Sequence, residues 1–200
     1  MIILTGASGG LGKYIFQNQS KKEFIIGLIN KSPLKVVKNS LIYKVNLKDE
    51  VEITNFVNNN KHTLKKITLI HMATISIDGL IHSYSTDDFI NTIQSNLISN
   101  FMLTKKLLPI MISQKWGRII NISSIMSDGE VGAGAYAATK SALVGYNNTL
   151  AKEYGRFNIT SNIVRLGFFE EGLINTFTKE KADEIRSKIP SKKFGQMEEI

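Results

Sequence analysis

Short apolar runs alternate with amphipathic stretches along most of this 200-residue chain. The apolar runs are rich in Ile, Leu and Val and do not alternate strictly with polar residues, which is typical of parallel strands buried on both faces of a sheet. They lie at residues 2–4, 24–29, 41–45, 67–72, 118–122 and 160–165. Strands separated by helices predict a three-layer α/β fold, in which a doubly wound parallel sheet lies between two layers of helices.

Two of the amphipathic stretches predict long helices. The first spans residues 87–113, and we expect Thr86 or Asp87 to cap its start. It carries Asn96 at the edge of its apolar face, where an amide without a partner would be costly. Asn96 therefore either points to solvent or has a specific partner. The second helix spans residues 136–154 and begins with Tyr136.

Composition describes one soluble globular domain over residues 1–200, because 42% of the residues are hydrophobic and the mean hydropathy is −0.04. No apolar run approaches the roughly 18 residues that span a bilayer, and a signal peptide is not expected. The absence of cysteine excludes disulfides, thiolate nucleophiles and cysteine zinc sites. We expect a cytoplasmic protein with no membrane partner and no metal. His71 lacks a partner cluster and is interpreted as structural.

The net charge of +8 raises the question of nucleic-acid binding. The lysine pairs, however, are spread over different predicted elements, at residues 21–22, 65–66, 105–106 and 192–193. No basic stripe carries the interleaved aromatic residues on which bases stack. We therefore expect no nucleic-acid partner, and the positive charge could instead assist a phosphorylated cofactor or an acidic carrier protein.

A glycine-rich segment, TGASGGLG at residues 5–12, joins the first apolar run to the first amphipathic stretch. Glycine permits backbone conformations with φ > 0 and a close approach to a ligand, and the amides of a helix N-terminus favour phosphate. A strand, a glycine turn and a helix in this order predict a dinucleotide site. An ordinary glycine-rich turn is the structural alternative.

Tyr136 and Lys140 are four residues apart, so a helix places them on one face. A free phenol titrates near pH ~10 and is a poor acid or base at neutrality. A nearby ammonium favours the phenolate and lowers that pKa, which makes tyrosine usable in proton transfer. Taken alone, this spacing is more often that of two surface residues one helical turn apart.

Together the two motifs make the chain resemble the short-chain dehydrogenase/reductase family, and within it the 3-oxoacyl-carrier-protein reductases. The resemblance covers the whole chain and implies a Rossmann fold with hydride transfer between a nicotinamide and a carbonyl or hydroxyl carbon. It implies the catalytic residues Asn96, Ser124, Tyr136 and Lys140, with Ser123 as the fallback for Ser124. Asn96 would sit in a local helix distortion and hold a water connected to Lys140.

The resemblance also implies which residues hold the cofactor. They lie in the glycine turn, at the ends of four predicted strands and on the catalytic helix: Gly6, Ser8, Gly10, Leu11, Gly12, Asn30, Lys31, Asn46, Leu47, Ala73, Tyr136, Lys140, Gly167 and Phe169. The second predicted strand ends in Asn30, Lys31 and Ser32, where a carboxylate would select NAD by repelling a 2′-phosphate. This favours NADP(H), with NAD(H) as the alternative if Lys31 is only a solvated loop residue.

The chain departs from the family pattern at three places. Residues 71–74 read HMAT where the family has Asn-Asn-Ala-Gly, Leu166 replaces the proline before Gly167, and Glu171 stands where threonine is expected. These positions concern the central sheet, the nicotinamide carboxamide and the pyrophosphate. Relatives also continue past Ile200 with a helix and a strand, so we expect a fold that lacks this last helix and strand. Either the chain is incomplete, which we favour, or another subunit or a rearrangement covers the exposed sheet edge.

Substrate specificity is expected to reside in residues 168–195, the counterpart of a mobile lid in the family. This segment carries apolar side chains that could contact a substrate or pack against the core, namely Phe168, Phe169, Leu173, Ile174 and Phe177. The resemblance implies a 3-oxoacyl thioester, carried on a carrier protein, with a sugar or other small carbonyl compound as an alternative. It also implies a homodimer or homotetramer built on the two long helices. A nucleotide-binding sensor or scaffold without turnover is the non-enzymatic alternative.

Overall fold

The computed structural model describes residues 1–200, apart from the side chains of Leu173 and Thr176. Six strands form its sheet: β1 (Ile2–Thr5), β2 (Ile25–Ile29), β3 (Ser40–Lys44), β4 (Thr68–His71), β5 (Gly117–Ser124) and β6 (Ile159–Leu166). All five pairings are parallel, and the strand order is β3-β2-β1-β4-β5-β6. The predicted doubly wound sheet is confirmed. Its order reverses between β1 and β4, which is where such sheets open a ligand crevice.

Helices connect these strands: α1 (Gly10–Gln19), α2 (Glu50–Asn60), α3 (Thr86–Ile93), α4 (Ser99–Gln114), α5 (Gly134–Tyr154) and α6 (Lys179–Lys188). A π-helical turn, Gln94–Ile98, joins α3 to α4, so the helix predicted at residues 87–113 is continuous but locally distorted. The predicted cap, Thr86 or Asp87, is wrong. The N-cap residue is Ser85, whose hydroxyl accepts from the amide of Asp88 at 3.4 Å. Both predicted residues instead lie in the first helical turn, because the helix begins one residue earlier than its polar pattern indicates.

In the middle of the sheet both faces are buried, as the composition of the strands predicts, since all four residues of β1 are buried. At the edges the prediction is wrong, because several residues of β3 and β6 are exposed. Along β1, Ile3 packs into a cluster with Ile53 of α2 and Leu107 of α4. Ile2 and Leu4 belong to a second cluster, which includes Ile15 and Phe16 of α1. Consecutive side chains of a strand point to opposite faces, so a continuous apolar run supplies both layers of core at once.

The ends of β1 and β4 are locked together, and this contact builds the floor of the crevice. The Thr5 hydroxyl accepts from the amides of Met72 and Ala73, each at 3.0 Å. Gly6 has φ +65°, and a β-carbon there would lie 2.8 Å from the Ala73 backbone. Glycine is therefore required at this position both by its left-handed backbone and by the lack of space.

The packing of the core is tested by substituting a buried residue of α2, with an exposed residue of the same helix as the control. Ile53 of α2 is fully buried and Val51 is 66% exposed. Ile53→Ala removes buried apolar surface and leaves a cavity, so it should lower the free energy of unfolding by about 2–5 kcal/mol. Val51→Ala should change that free energy by less than about 0.5 kcal/mol. Urea denaturation followed by circular dichroism measures both, and equal losses would contradict this assignment of the core.

Candidate active site

A cavity of about 760 Å³ opens at the carboxyl ends of the strands. The structure places every predicted cofactor residue in its wall, from the glycine turn to the end of β6: Gly6, Ser8, Gly10, Leu11, Gly12, Asn30, Lys31, Asn46, Leu47, Ala73, Tyr136, Lys140, Gly167 and Phe169. Ser124 also lines the cavity. Asn96 is not among the lining residues and lies behind the wall.

The glycine turn fits a dinucleotide phosphate. Gly9 is the N-cap residue of α1 and has no side chain that could cap the helix. The first-turn amides of a helix are donors without an intrahelical partner and attract anions. A β-carbon at Gly12 would lie 2.1 Å from the Gly6 carbonyl oxygen, which only glycine avoids. Glycine at this position therefore lets the helix start pack directly against the turn, which brings the first-turn amides to the cavity.

Sequence reasoning missed several lining residues on the adenosine side of the cavity. Lys48 follows the predicted pair of Asn46 and Leu47, and its ammonium donates to the Asn91 side chain of α3. Ser95 and Ser99 continue the same wall. Asn91, Ser95 and Ser99 recur every four residues, a helical spacing that places polar side chains on one face. That periodicity was the available signal.

The catalytic candidates converge where β5 ends and α5 begins. Tyr136 and Lys140 are both buried, and the Lys140 Nζ lies 5.4 Å from the centroid of the Tyr136 ring. The same Nζ donates to the Ile122 carbonyl of β5 at 2.8 Å. This arrangement excludes a surface pair, because both side chains point into the molecule.

The structure distinguishes Ser124 from Ser123. The Ser123 hydroxyl donates to the backbone carbonyl of Lys140 at 3.0 Å and thereby fastens β5 to α5. The Ser124 hydroxyl accepts from the amide of Met126 at 3.1 Å and makes a hydrogen bond that lowers the pKa of Tyr136. Ser124 is therefore the serine whose hydroxyl meets the phenol.

The electrostatics of the site differ from the expectation in one respect. Burial raises the pKa of Tyr136, and the hydrogen bond with Ser124 offsets this only in part. The prediction that Lys140 lowers this pKa is wrong: Lys140 is not among the causes of the shift, and its ammonium donates to the Ile122 carbonyl. Burial also lowers the pKa of Lys140 from 10.5 to about 8. The site thus places a phenol and an amine in a poorly solvated pocket, where each pKa shifts toward the neutral form.

Asn96 occupies the predicted helix distortion and is completely buried. Its amide nitrogen donates to the Ile75 carbonyl at 2.9 Å and to the Thr139 hydroxyl at 3.2 Å, and its oxygen accepts from the Ile75 amide at 2.9 Å. The alternative of an asparagine pointing to solvent is therefore wrong. Asn96 ties the loop after β4 to α5, one residue before Lys140.

His71 has a packing role beside this network. Its Nε2 lies 2.8 Å from the Thr104 hydroxyl, and burial, followed by the charge of Lys140, lowers its pKa to about 3. The ring is therefore neutral at physiological pH. Among the described side chains, no group of three histidine, cysteine or acidic residues is placed to hold a metal ion.

The segment after β6 contributes to the cavity only in part. Phe168, Phe169 and Ile174 line it, whereas Phe177 does not, and the side chain of Leu173 lies outside the described ones. Phe168 also packs near Phe194, with ring centroids 6.5 Å apart. Phe168 thus both lines the cavity and packs against the fold, so the two alternatives for this segment do not exclude each other.

Three comparisons with known proteins agree with this geometry. The sequence model of short chain dehydrogenases matches residues 1–182. The chain is 34% identical to the 3-oxoacyl-[acyl-carrier-protein] reductase FabG of Rickettsia bellii, over 99% of this chain and 84% of the relative. It is 30% identical to the 3-oxoacyl-[acyl-carrier-protein] reductase of Mus musculus, over 98% of this chain and 85% of the relative.

A solved structure matches the fold with a TM-score of 0.91 at 22% identity and covers 98% of this chain and 84% of its own. It is of a protein from Beutenbergia cavernae assigned as an NAD(P)-dependent gluconate 5-dehydrogenase, with NADP bound at low occupancy. Among the described residues of this chain, no helix is long and apolar enough to span a bilayer.

The lowered pKa of Lys140 predicts a pH dependence of stability. Below pH 8 both the folded and the unfolded chain carry this proton, and the cost of burying the charge is fully present. Between the folded pKa of about 8 and the unfolded value of 10.5, the unfolded chain binds the additional proton, so stability rises with pH. The free energy of unfolding of wild type relative to Lys140→Met should increase by about 2 kcal/mol from pH 8 to pH 10.

Urea denaturation at several pH values measures this difference. Lys152→Met, at an exposed position of the same helix, is the control, and its difference from wild type should stay constant. A constant difference for Lys140→Met as well would show that the ammonium is solvated.

Proposed function

This chain belongs to the short-chain dehydrogenase family, and we propose that it is an NADP(H)-dependent oxidoreductase acting on a carbonyl or hydroxyl substrate. The observation that carries the proposal is the convergence of Ser124, Tyr136 and Lys140 in the wall of the cavity that the glycine turn also lines. A chain retaining only nucleotide binding, as a sensor or scaffold, would have no chemical need for these three residues together. We treat residues 1–200 as one cofactor-binding unit.

The residues present fit the dinucleotide. The first-turn amides of α1 would hold the pyrophosphate, since Gly6 and Gly12 keep the turn free of side chains. Asn30, Lys31 and Ser32 supply donors and one cation at the end of β2, where an acidic residue would select NAD. These residues support NADP(H) as the favoured cofactor. When bound, the cofactor supplies or accepts the hydride.

The chain's own residues handle the proton. The Tyr136 hydroxyl would donate to the substrate oxygen as negative charge develops there, and the Ser124 hydroxyl would donate a hydrogen bond to the same oxygen. Burial of both residues keeps competing water away from that oxygen and strengthens the two interactions. Burial raises the pKa of Tyr136, so the phenol would keep its proton until the substrate oxygen accepts it, and Lys140 contributes its ammonium to the same pocket.

Lys140 would also bind the hydroxyls of the nicotinamide ribose, and Asn96 would act as a positioning residue. Its side chain is occupied by Ile75 and Thr139, so it fixes α5 and the loop after β4 in relation to each other. A water held near Asn96 and connected to Lys140 remains a prediction.

For the substrate we propose a 3-oxoacyl thioester, carried on a carrier protein. Two relatives are 3-oxoacyl-[acyl-carrier-protein] reductases, and apolar side chains of the cavity wall, among them Ile75, Ile125 and Phe168, suit an acyl chain. A sugar or another small carbonyl compound is the second candidate. NADPH oxidation with acetoacetyl-CoA and with a panel of small ketones and keto-sugars separates the two, and no oxidation with any of them would favour the non-enzymatic alternative.

We further propose a cytoplasmic homodimer or homotetramer. Three apolar side chains are partly exposed here: Ile98 in the π turn, Phe101 on α4 and Val144 on α5. Such side chains on neighbouring helices suit an interface with a second copy of the chain. Light scattering at several protein concentrations measures the mass of the particle.

The central test is Tyr136→Phe, which keeps the ring and removes the transferable proton. It should lower kcat by about 10²–10⁴-fold while leaving the affinity for NADPH within a factor of about three. Tyr14→Phe is the control, because Tyr14 of α1 does not line the cavity. Steady-state kinetics and NADPH fluorescence titration measure the two quantities, and undiminished turnover of Tyr136→Phe would refute the catalytic scheme.

The cofactor preference is tested at Lys31. Lys31→Asp should weaken NADPH binding by about tenfold or more and leave NADH binding nearly unchanged, because only NADPH carries the 2′-phosphate that a carboxylate repels. Lys35→Asp makes the same change of charge at an exposed position nearby that does not line the cavity. If the ratio of the two dissociation constants does not change in Lys31→Asp, Lys31 does not set the preference.

A further inference from the structure

The cavity wall carries a carboxylate to which the proposed reaction assigns no role. Three lysines line it, namely Lys31, Lys48 and Lys140. Among the described lining residues, Glu171 is the one carboxylate. An anionic cofactor in this cavity is therefore attracted by three ammonium groups and opposed by one acid.

Glu171 lies at the glycine turn and not at another part of the wall. A β-carbon at Gly10, the first residue of α1, would lie 3.6 Å from the β-carbon of Glu171 and 3.1 Å from the amide nitrogen of Gly172. The segment after β6 thus passes directly over the start of the helix. This is the place where the helix amides would hold a pyrophosphate.

Backbone pairing fixes the chain immediately before Glu171. Phe169 forms a parallel bridge with Gly195, whose amide donates to the Phe168 carbonyl at 2.9 Å. The Gly195 carbonyl accepts from the amide of Glu170 at 3.1 Å. A β-carbon at Gly195 would lie 2.8 Å from the Phe169 ring, so the two segments are closely packed. The backbone pairing of residues 168–170 with Gly195 therefore fixes where Glu171 lies.

We propose that Glu171 weakens the binding of NADP(H) by placing a carboxylate against the pyrophosphate at the glycine turn. This inference rests on the proposed function, because it concerns the same cofactor site. Glu171 is exposed and its β-carbon lies beside the first residue of α1, so its carboxylate and a bound pyrophosphate would repel each other. Glu171 thereby sets how tightly the cofactor is held and how readily it leaves.

The test is Glu171→Gln, which removes the charge and keeps the size of the side chain. Its dissociation constant for NADPH, from fluorescence titration in low-salt buffer with EDTA, should fall about three- to tenfold relative to wild type. The gain should shrink as salt is added, because ions screen a repulsion between partly solvated charges. Glu171→Asp keeps the charge and should bind NADPH about as wild type does.

Glu170→Gln is the matched control. Glu170 is the adjacent acid, is exposed and does not line the cavity, so its removal should leave the dissociation constant unchanged. Equal effects of Glu170→Gln and Glu171→Gln would overturn the inference, since they would report the net charge of the protein.

Two further results distinguish this inference from the proposed function. Glu171→Gln binding NADPH no more tightly than wild type, while wild type binds it, would overturn the inference alone. Failure of wild type and of Glu171→Gln to bind NADPH at all would overturn both. Binding by Glu171→Gln without detectable binding by wild type would support the inference in its strongest form.

Discussion

The buried ammonium of Lys140 is the constraint on which the site depends. A charge removed from water is costly unless it is paired, and among the described atoms the Lys140 Nζ donates to a single neutral carbonyl, that of Ile122. The low pKa of about 8 records the cost. Such a group persists only where the surrounding fold holds it in place, and titratable groups with strongly shifted pKa values are concentrated at functional sites.

What holds Lys140 in place is a set of polar contacts between α5 and its neighbours. The backbone carbonyl of Lys140 accepts from Ser123 of β5, and the preceding residue, Thr139, accepts from Asn96 in the π turn. Asn96 in turn pairs with both backbone groups of Ile75. The π turn thus has a structural role, because it places the Asn96 side chain where the loop after β4 meets the catalytic helix α5.

The sequence was informative where the signal is local or periodic. Apolar runs located the six strands to within two residues, and the spacing of Tyr136 and Lys140 placed them on one helix face. It was uninformative where the outcome depends on contacts distant in sequence. The apposition of Glu171 and Gly10, the completeness of the Asn96 contacts and the raised pKa of Tyr136 each depend on which groups the fold brings together and on how much water it removes.

These long-range effects bear on how the charge of the chain is used. The net charge of +8 is spread over the surface, and three lysines are among the described residues that line the cavity. One of them is held at the reacting end with its positive charge poorly solvated, and the one lining carboxylate stands at the phosphate end. The proposed repulsion by Glu171 would thus oppose the dinucleotide at a point away from the proton-transfer residues. Since cofactor release limits turnover in many enzymes of evolved efficiency, opposition at the phosphate end serves turnover without disturbing the proton-transfer residues.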